Sequence, residues 1–247
     1  MTSVDDELFV LLWKEDSPSH IAVYSIDDYK IQRRFSLPGF IGHSDDEITS
    51  CVRYKCLYLT DRDNRCIRRY QLASEGMSVW PVRSTPCGLS VTPRCNLLVT
   101  CHGKLVELSA DGGRCVREIT LEAEIGSPNH GVQLTTGQFV VCHSALHGLN
   151  RVCVVGDDGE VARCYGHRHG SDVGQLSWPR YLAVDKESQF IFVADKNNCR
   201  VVLLSPTLEF VRYVNLKFKG LSRLYFHQAT RRLYVGWWRG SVTVIQL

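Results

Sequence analysis

The chain has 247 residues, of which 44% are hydrophobic and 22% charged, with 29 basic residues against 26 acidic ones. That length suits one all-β domain, and the composition argues against a disordered or low-complexity chain. The net charge of +3 is too small to argue for nucleic acid by itself, so any anion site must come from how the charges are placed.

The first residues, Met-Thr-Ser-Val-Asp-Asp-Glu, are acidic, and the apolar run Leu8–Trp13 is too short for a signal-peptide core or a membrane span. Strand runs rich in Val, Leu, Ile, Phe and Tyr then follow one another between turn signals. A first group, 8–37, shows Leu8–Trp13, His20–Ser25 and Lys30–Leu37, with no room ahead of Leu8 for a further strand. A second group spans 48–82. The third, 86–121, reads Gly88–Val91, Asn96–Thr100, Lys104–Ser109 and Cys115–Leu121, with its last hairpin turning at Asp111-Gly112-Gly113. The fourth, 129–165, reads Gly131–Leu134, Gln138–Cys142, Arg151–Val155 and Val161–Tyr165, turning at Asp157-Asp158-Gly159. Both Asp-Gly pairs supply the positive φ that a tight hairpin needs. The fifth group, 179–216, places Ser205-Pro206-Thr207 in the same slot. The sixth, 221–247, shows Leu221–Phe226, Arg232–Trp237 and Ser241–Leu247, with nothing left for an outermost strand. No long helix is expected.

These groups repeat. The end of each first strand falls at Val52, Val91, Leu134, Val184 and Phe226, in steps of 39, 43, 50 and 42 residues. The second strand ends at Asp61, Cys101, His143, Asp195 and Trp237, in steps of 40, 42, 52 and 42. Such a period, at about four strands per unit, predicts a single six-bladed β-propeller over residues 1–247, with incomplete first and last blades. Innermost strands near Val52, Leu89, Val132, Leu182 and Leu224 are expected to line a central channel. The strand that closes the ring is not legible: either the chain is trimmed at both ends, or residues 1–7 act in a way the pattern does not show.

There are 11 cysteines but no Cys-x-x-Cys pair, and most sit in strand-like runs (Cys51, Cys66, Cys115, Cys142, Cys153, Cys164, Cys199). The expectation is a reduced, cytoplasmic protein whose cysteines serve as small core hydrophobes; a zinc cluster would need paired spacing.

The fifth unit carries the clearest wording: Pro179, Ala183-Val184-Asp185, Phe192-Val193-Ala194-Asp195, Asn198 and Arg200-Val201. The second keeps Leu57-Tyr58-Leu59-Thr60-Asp61 and Asn64, with Cys66-Ile67 in place of Arg-Val. The third, fourth and sixth carry Cys101, His143 and Trp237 in place of the Asp. This wording resembles the NHL repeat, the blade unit of propellers at the C-terminal end of tripartite-motif proteins. The resemblance implies an interaction domain, and in several such proteins an RNA-binding face. In the residues themselves, Asp61 with Asn64 and Asp195 with Asn198 read as turn-shaping pairs. Arg200 reads as structural, reaching a neighbouring carboxylate or carbonyl.

Loops between second and third strands share one face with the loops between blades, and rigid blades hold binding residues there. On that face the expected partner-binding set is Arg62, Arg65, Lys104, His143, Arg151, Arg168, Trp178, Arg180, Lys196, Arg223, Trp237, Trp238 and Arg239. Asp45-Asp46-Glu47, Asp61, Asp63, Glu122 and Glu124 lie on the same side. The first reading is a non-catalytic monomeric scaffold for a protein or peptide, since Trp and Arg dominate such contacts. Single-stranded RNA on the same basic face is the alternative. A metal-dependent lyase or hydrolase of NHL-like type is a second alternative, resting on His143-x-x-x-His147 and His167-x-His169. No catalytic residue, cofactor or metal is expected: there is no Gly-x-Ser-x-Gly elbow or phosphate loop, and Asp27-Asp28, Asp45-Asp46 and Asp157-Asp158 fall at turns.

Overall fold

The computed structural model describes the chain except residues 15–16, 145–147, 217–219 and 238–239; the expected contacts Trp238 and Arg239, with His147, lie outside the described residues. Blade 1 holds β1 (Thr2–Val4), β2 (Glu7–Lys14), β3 (Ser17–Ser25) and β4 (Ile31–Ser36). Blade 2 holds β5 (Ile48–Cys51), β6 (Cys56–Asp61), β7 (Cys66–Gln71) and β8 (Met77–Pro81). Blade 3 holds β9 (Pro86–Val91), β10 (Leu97–Cys101), β11 (Lys104–Leu108) and β12 (Cys115–Thr120). Blade 4 holds β13 (Pro128–Gln133), β14 (Phe139–Ser144), β15 (Asn150–Val155) and β16 (Val161–Tyr165). Blade 5 holds β17 (Pro179–Val184), β18 (Ile191–Asp195), β19 (Arg200–Leu204) and β20 (Phe210–Asn215). Blade 6 holds β21 (Leu221–His227), β22 (Arg232–Trp237) and β23 (Val242–Gln246). Each blade is an antiparallel meander, and the molecule is a six-bladed β-propeller without a helix among the described residues.

Second strands such as β6, β10 and β18 are buried along their whole length. That explains why they read as unbroken apolar runs rather than alternating ones: both faces are covered by neighbouring blades. The core is accordingly a series of clusters between blades, for example Trp80, Val99 and Cys101 between blades 2 and 3.

The structure corrects the first blade. Thr2–Val4 is its innermost strand, paired Thr2↔Phe9, Ser3↔Leu8 and Val4↔Glu7 through a turn with Asp5 at φ 51°. At three residues, two of them polar, the strand is too short to show alternation. Thr2 and Ser3 are nonetheless buried, held by Ser50, whose Oγ donates to Ser3 O at 2.7 Å. Blades 6 and 1 then close the ring through Met1, Leu8, Val10, Ile26 and Tyr234. Blade 6 has only three strands among the described residues, as the pattern indicated.

A second correction concerns the cysteines. Cys153 and Cys164 stand directly opposite on β15 and β16, with Cα atoms 4.1 Å apart, and are joined by a disulfide. Strand register, which cannot be read from spacing, brings them together, and the premise behind the uniformly reduced, cytoplasmic expectation is withdrawn.

The Asp195 corner matches expectation. Arg200 Nε donates to Asp195 Oδ2 at 2.8 Å, while its other nitrogens donate to Ser171 O and Gln175 O of the preceding inter-blade loop. Blade 2 builds the same latch with Arg68, which donates to Asp61 Oδ2 at 2.7 Å and to Pro38 O and Gly39 O. Arg68 lies two residues further along its strand, on the same face as Cys66, because side chains alternate with period two.

Candidate functional site

Blades 2 to 6 each place one residue, in the innermost strand or just ahead of it, at the same height in the channel. Opposite the residue that precedes the corner position (Cys101, His143, Asp195, Trp237), register sets Gly88 against Thr100, His130 against Cys142, Tyr181 against Ala194 and Arg223 against Gly236. Glu47 takes this place in blade 2, its carbonyl accepting from Thr60 N at 3.1 Å. The result is a girdle of Glu47, Gly88, His130, Tyr181 and Arg223 across the channel. Glycine is required at 88: a Cβ there would lie 2.8 Å from Asn129 O and 3.1 Å from His130 Cδ2.

The girdle is buried and coupled. Glu47 Oε2 accepts from Leu89 N at 3.0 Å, and Arg223 Nε lies 3.7 Å from Glu47 Oε1. Burial nevertheless pushes the Glu47 carboxyl up to about 7, against the pull of Arg223 and Arg180. His130 stacks on Tyr181 with ring centroids 3.9 Å apart. Burial lowers its imidazole to about 3, so the 3.9 Å approach of His130 Nε2 to Glu47 is not an ion pair. Nε2 is 3.0 Å from Leu89 O. A carbonyl only accepts, so Nε2 carries the proton, and His130 Nδ1 is left buried without a partner.

One residue before Gly88, His130, Tyr181 and Arg223, the strand bulges. The register skips Cys87, Asn129, Arg180 and Ser222. A bulge re-aims the extra side chain. Cys87, Asn129 and Arg180 accordingly line a vestibule of about 390 Å³ at the channel mouth, with Arg62, His102 and Ser127. Two arginines thus face a lining that contains no carboxylate. Asn129 is oriented by its Nδ2 bond to Pro179 O at 2.9 Å, which leaves Oδ1 3.5 Å from Arg180.

At the rim Arg180 pairs with Asp45, and Arg223 donates to Asp45 O at 3.2 Å. Burial opposes ionisation of Asp45, but Arg180, Arg223 and Arg62 outweigh it and hold its carboxyl low. Lys196 joins the group: burial, with Arg180 and Arg223, lowers its ammonium. Its Nζ sits 5.2 Å from the ring centroid of Trp178, a cation–π contact. Trp178 is 46% exposed and held at φ 58°, its N–H donating to Asn150 Oδ1 at 2.9 Å. A bulky side chain in the left-handed region is a rare conformation that clusters at functional sites.

Of the expected contacts, the fold gathers Arg62, Trp178, Arg180, Lys196 and Arg223 at this mouth. Lys104 is paired with Glu118 at 2.8 Å and Arg151 with Glu124 at 3.1 Å, while Arg65 and Arg168 are exposed on loops. Two expectations are corrected. His143 is wholly buried, with Nε2 3.8 Å from Cys153 Sγ, and Trp237 is core, its Nε1 donating to Thr243 Oγ1 at 2.9 Å. Both occupy the slot of Asp61 and Asp195 at the strand corner, which the fold buries. Sequence reasoning missed Glu47, Tyr181 and Asn129. Their one legible signal is a polar residue at the onset of each innermost strand. The expected channel residues Val52, Leu89, Val132, Leu182 and Leu224 do line a cavity of about 420 Å³, at the opposite end. Among the described residues no group of three or more His, Cys, Asp or Glu could hold a metal ion.

No protein-family model matches the chain, and no curated protein matches it by sequence. Solved structures share its fold. Hydrazine synthase of Kuenenia stuttgartiensis superposes with a TM-score of 0.66 at 12% identity, over 92% of this chain and 89% of that one. A catalytically inactive virginiamycin B lyase from Staphylococcus aureus, solved with quinupristin, gives 0.63 at 11%, over 98% and 85%. Regucalcin, a calcium-binding protein from Agrobacterium tumefaciens, gives 0.60 at 14%, over 81% and 69%. Structures this dissimilar in sequence, spanning enzymes and a calcium binder, share the fold alone and leave its function to the site.

Proposed function

We propose that the protein is a non-catalytic interaction module of NHL type that takes an acidic segment of a partner protein at the charged mouth of the channel. The observation that carries this reading is the convergence of Arg62, Arg180, Arg223 and Lys196 on one rim carboxylate, Asp45, above a vestibule lined by Arg62 and Arg180. An incoming carboxylate can replace Asp45 on Arg180 as a bidentate partner, with Trp178 as the exposed apolar contact beside it. A stacking surface for RNA is less well supported, because Trp237 is buried, which leaves Trp178 as the one exposed tryptophan of the expected face among the described residues.

The test is fluorescence anisotropy of a labelled Glu/Asp-rich octapeptide at low and high salt, with pooled single-stranded RNA as competitor. Binding is expected to be lost in the double variant Arg62→Glu, Arg180→Glu and kept in Lys55→Glu, whose lysine pairs with Asp5 at the other end of the channel. An anion beside Glu47 favours its protonated form, so affinity should rise as pH falls from about 8 to about 6. No peptide binding at low salt, or displacement by RNA with a steep salt slope, would overturn the reading.

A further inference from the structure

The fourth strands of blades 1 to 5 share a pattern that blade 6 lacks. Opposite the second residue of the third strand, or its equivalent, each carries a bulky apolar residue: Phe35 on Ile21, Trp80 on Ile67, Ile119 on Leu105, Tyr165 on Val152 and Val214 on Val201. Two residues earlier, on the same face, four of the five carry arginine: Arg33, Arg117, Arg163 and Arg212. Each apolar residue packs into the seam with the next blade. Trp80, for instance, shares a cluster with Val99 and Cys101 of blade 3.

In blade 6 the equivalent third strand is β23, and the positions that would face this pattern are Val242 and Val244, set by Gly236↔Val242 and Tyr234↔Val244. No strand covers them among the described residues. By register Val10 and Leu12 of blade 1 correspond to Val99 and Cys101. They line, with Trp13, Trp237 and Val242, a cavity of about 120 Å³, and Trp13 is 39% exposed. The slot filled elsewhere by an aromatic or branched side chain is open here. The edge is also unguarded. β4, β12, β16 and β20 each carry arginine and β8 ends in Pro81, whereas β23 reads Val-Thr-Val-Ile-Gln. Natural sheets blunt free edges with charge or proline, and an unblunted one is a template for a further strand.

We propose that β23 is a docking edge for an extended segment of a partner protein that pairs antiparallel to it. That segment carries arginine two residues ahead of a bulky apolar side chain, which enters the seam beside Val242 while the arginine faces Val244. This surface lies on the outer edge of blade 6, and the cavity beside it is also lined by Asp46 and Arg223 of the channel mouth.

The probe is a fluorescein-labelled peptide with the sequence of residues 160–166, serine replacing Cys164, so that it presents Arg-Ser-Tyr. Saturable binding is expected, with new amide-exchange protection at 242–246. Val242→Asp should weaken it about tenfold by placing a charge against the buried tyrosine. Val244→Glu should tighten it about threefold, by giving the arginine the carboxylate that Glu107 gives Arg117 at 2.7 Å. The second variant decides the matter if the first does not fold. Three results would overturn the proposal: no saturable binding, equal binding by a peptide with alanine for both arginine and tyrosine, or amides 242–246 already protected in a dimer without peptide.

Discussion

The two ends of the channel are built by the same strands and differ in chemistry. At one end four innermost strands begin with a bulge, and three of these carry a polar or charged pair there, Asn129-His130, Arg180-Tyr181 and Ser222-Arg223. At the other the strands run out in regular register through Val91, Val132, Val184 and Phe226, which line the larger cavity. The bulge is the device: one extra residue in β9, β13 and β17 turns Cys87, Asn129 and Arg180 into the vestibule without moving the apolar end that packs the blades.

The comparison breaks most sharply at Arg223. Arg223→Leu removes the cation beside a carboxylate that is 2% exposed, and a stranded buried charge costs about 3–5 kcal/mol. Urea unfolding at pH 8 should show that loss, and it should shrink below about pH 7, where Glu47 is protonated. At the apolar end Leu224, 1% exposed, offers the contrast. Leu224→Ala should lose about 3 kcal/mol by leaving a cavity, and equally at both pH values.

Glu47→Gln sharpens the charged end. Its folded carboxyl, at about 7 against 4.5 unfolded, binds a proton more tightly in the native state. The stability it contributes is therefore complete below about pH 4.5 and is lost as pH rises towards 7. Relative to wild type, the glutamine variant should gain up to about 3 kcal/mol across that interval. The opposite slope from His130, lost as pH falls from 6.5 towards 3, should persist in both proteins. Smallest of all is Val52→Ser: at 55% exposure it should stay within about 0.5 kcal/mol of wild type.

Much of the blade plan is legible in the sequence because burial on both faces writes second strands as apolar runs, and Asp-Gly pairs mark the hairpins. β1 escapes because three residues carry no period. Arg68 escapes because its latch is displaced by one strand period from the position of Arg200. Of the residues expected on the loop face, Arg62, Trp178, Arg180, Lys196 and Arg223 meet at one mouth. It was misleading at His143 and Trp237, where a corner residue that looks like loop is covered by the neighbouring blade.

By itself, the sequence determined the number of blades and the structural role of Arg200, since these are set by apolar second strands and turn chemistry, whereas the start of the first blade was read wrongly. Only the tertiary structure decided that Glu47, His130, Tyr181 and Arg223, spread over 177 positions of chain, form one girdle, and that Cys153 meets Cys164. Both follow from strand register, and register depends on which residues bulge. A bulge adds one residue to a strand and leaves no mark in composition or period, yet it selects which side chains meet.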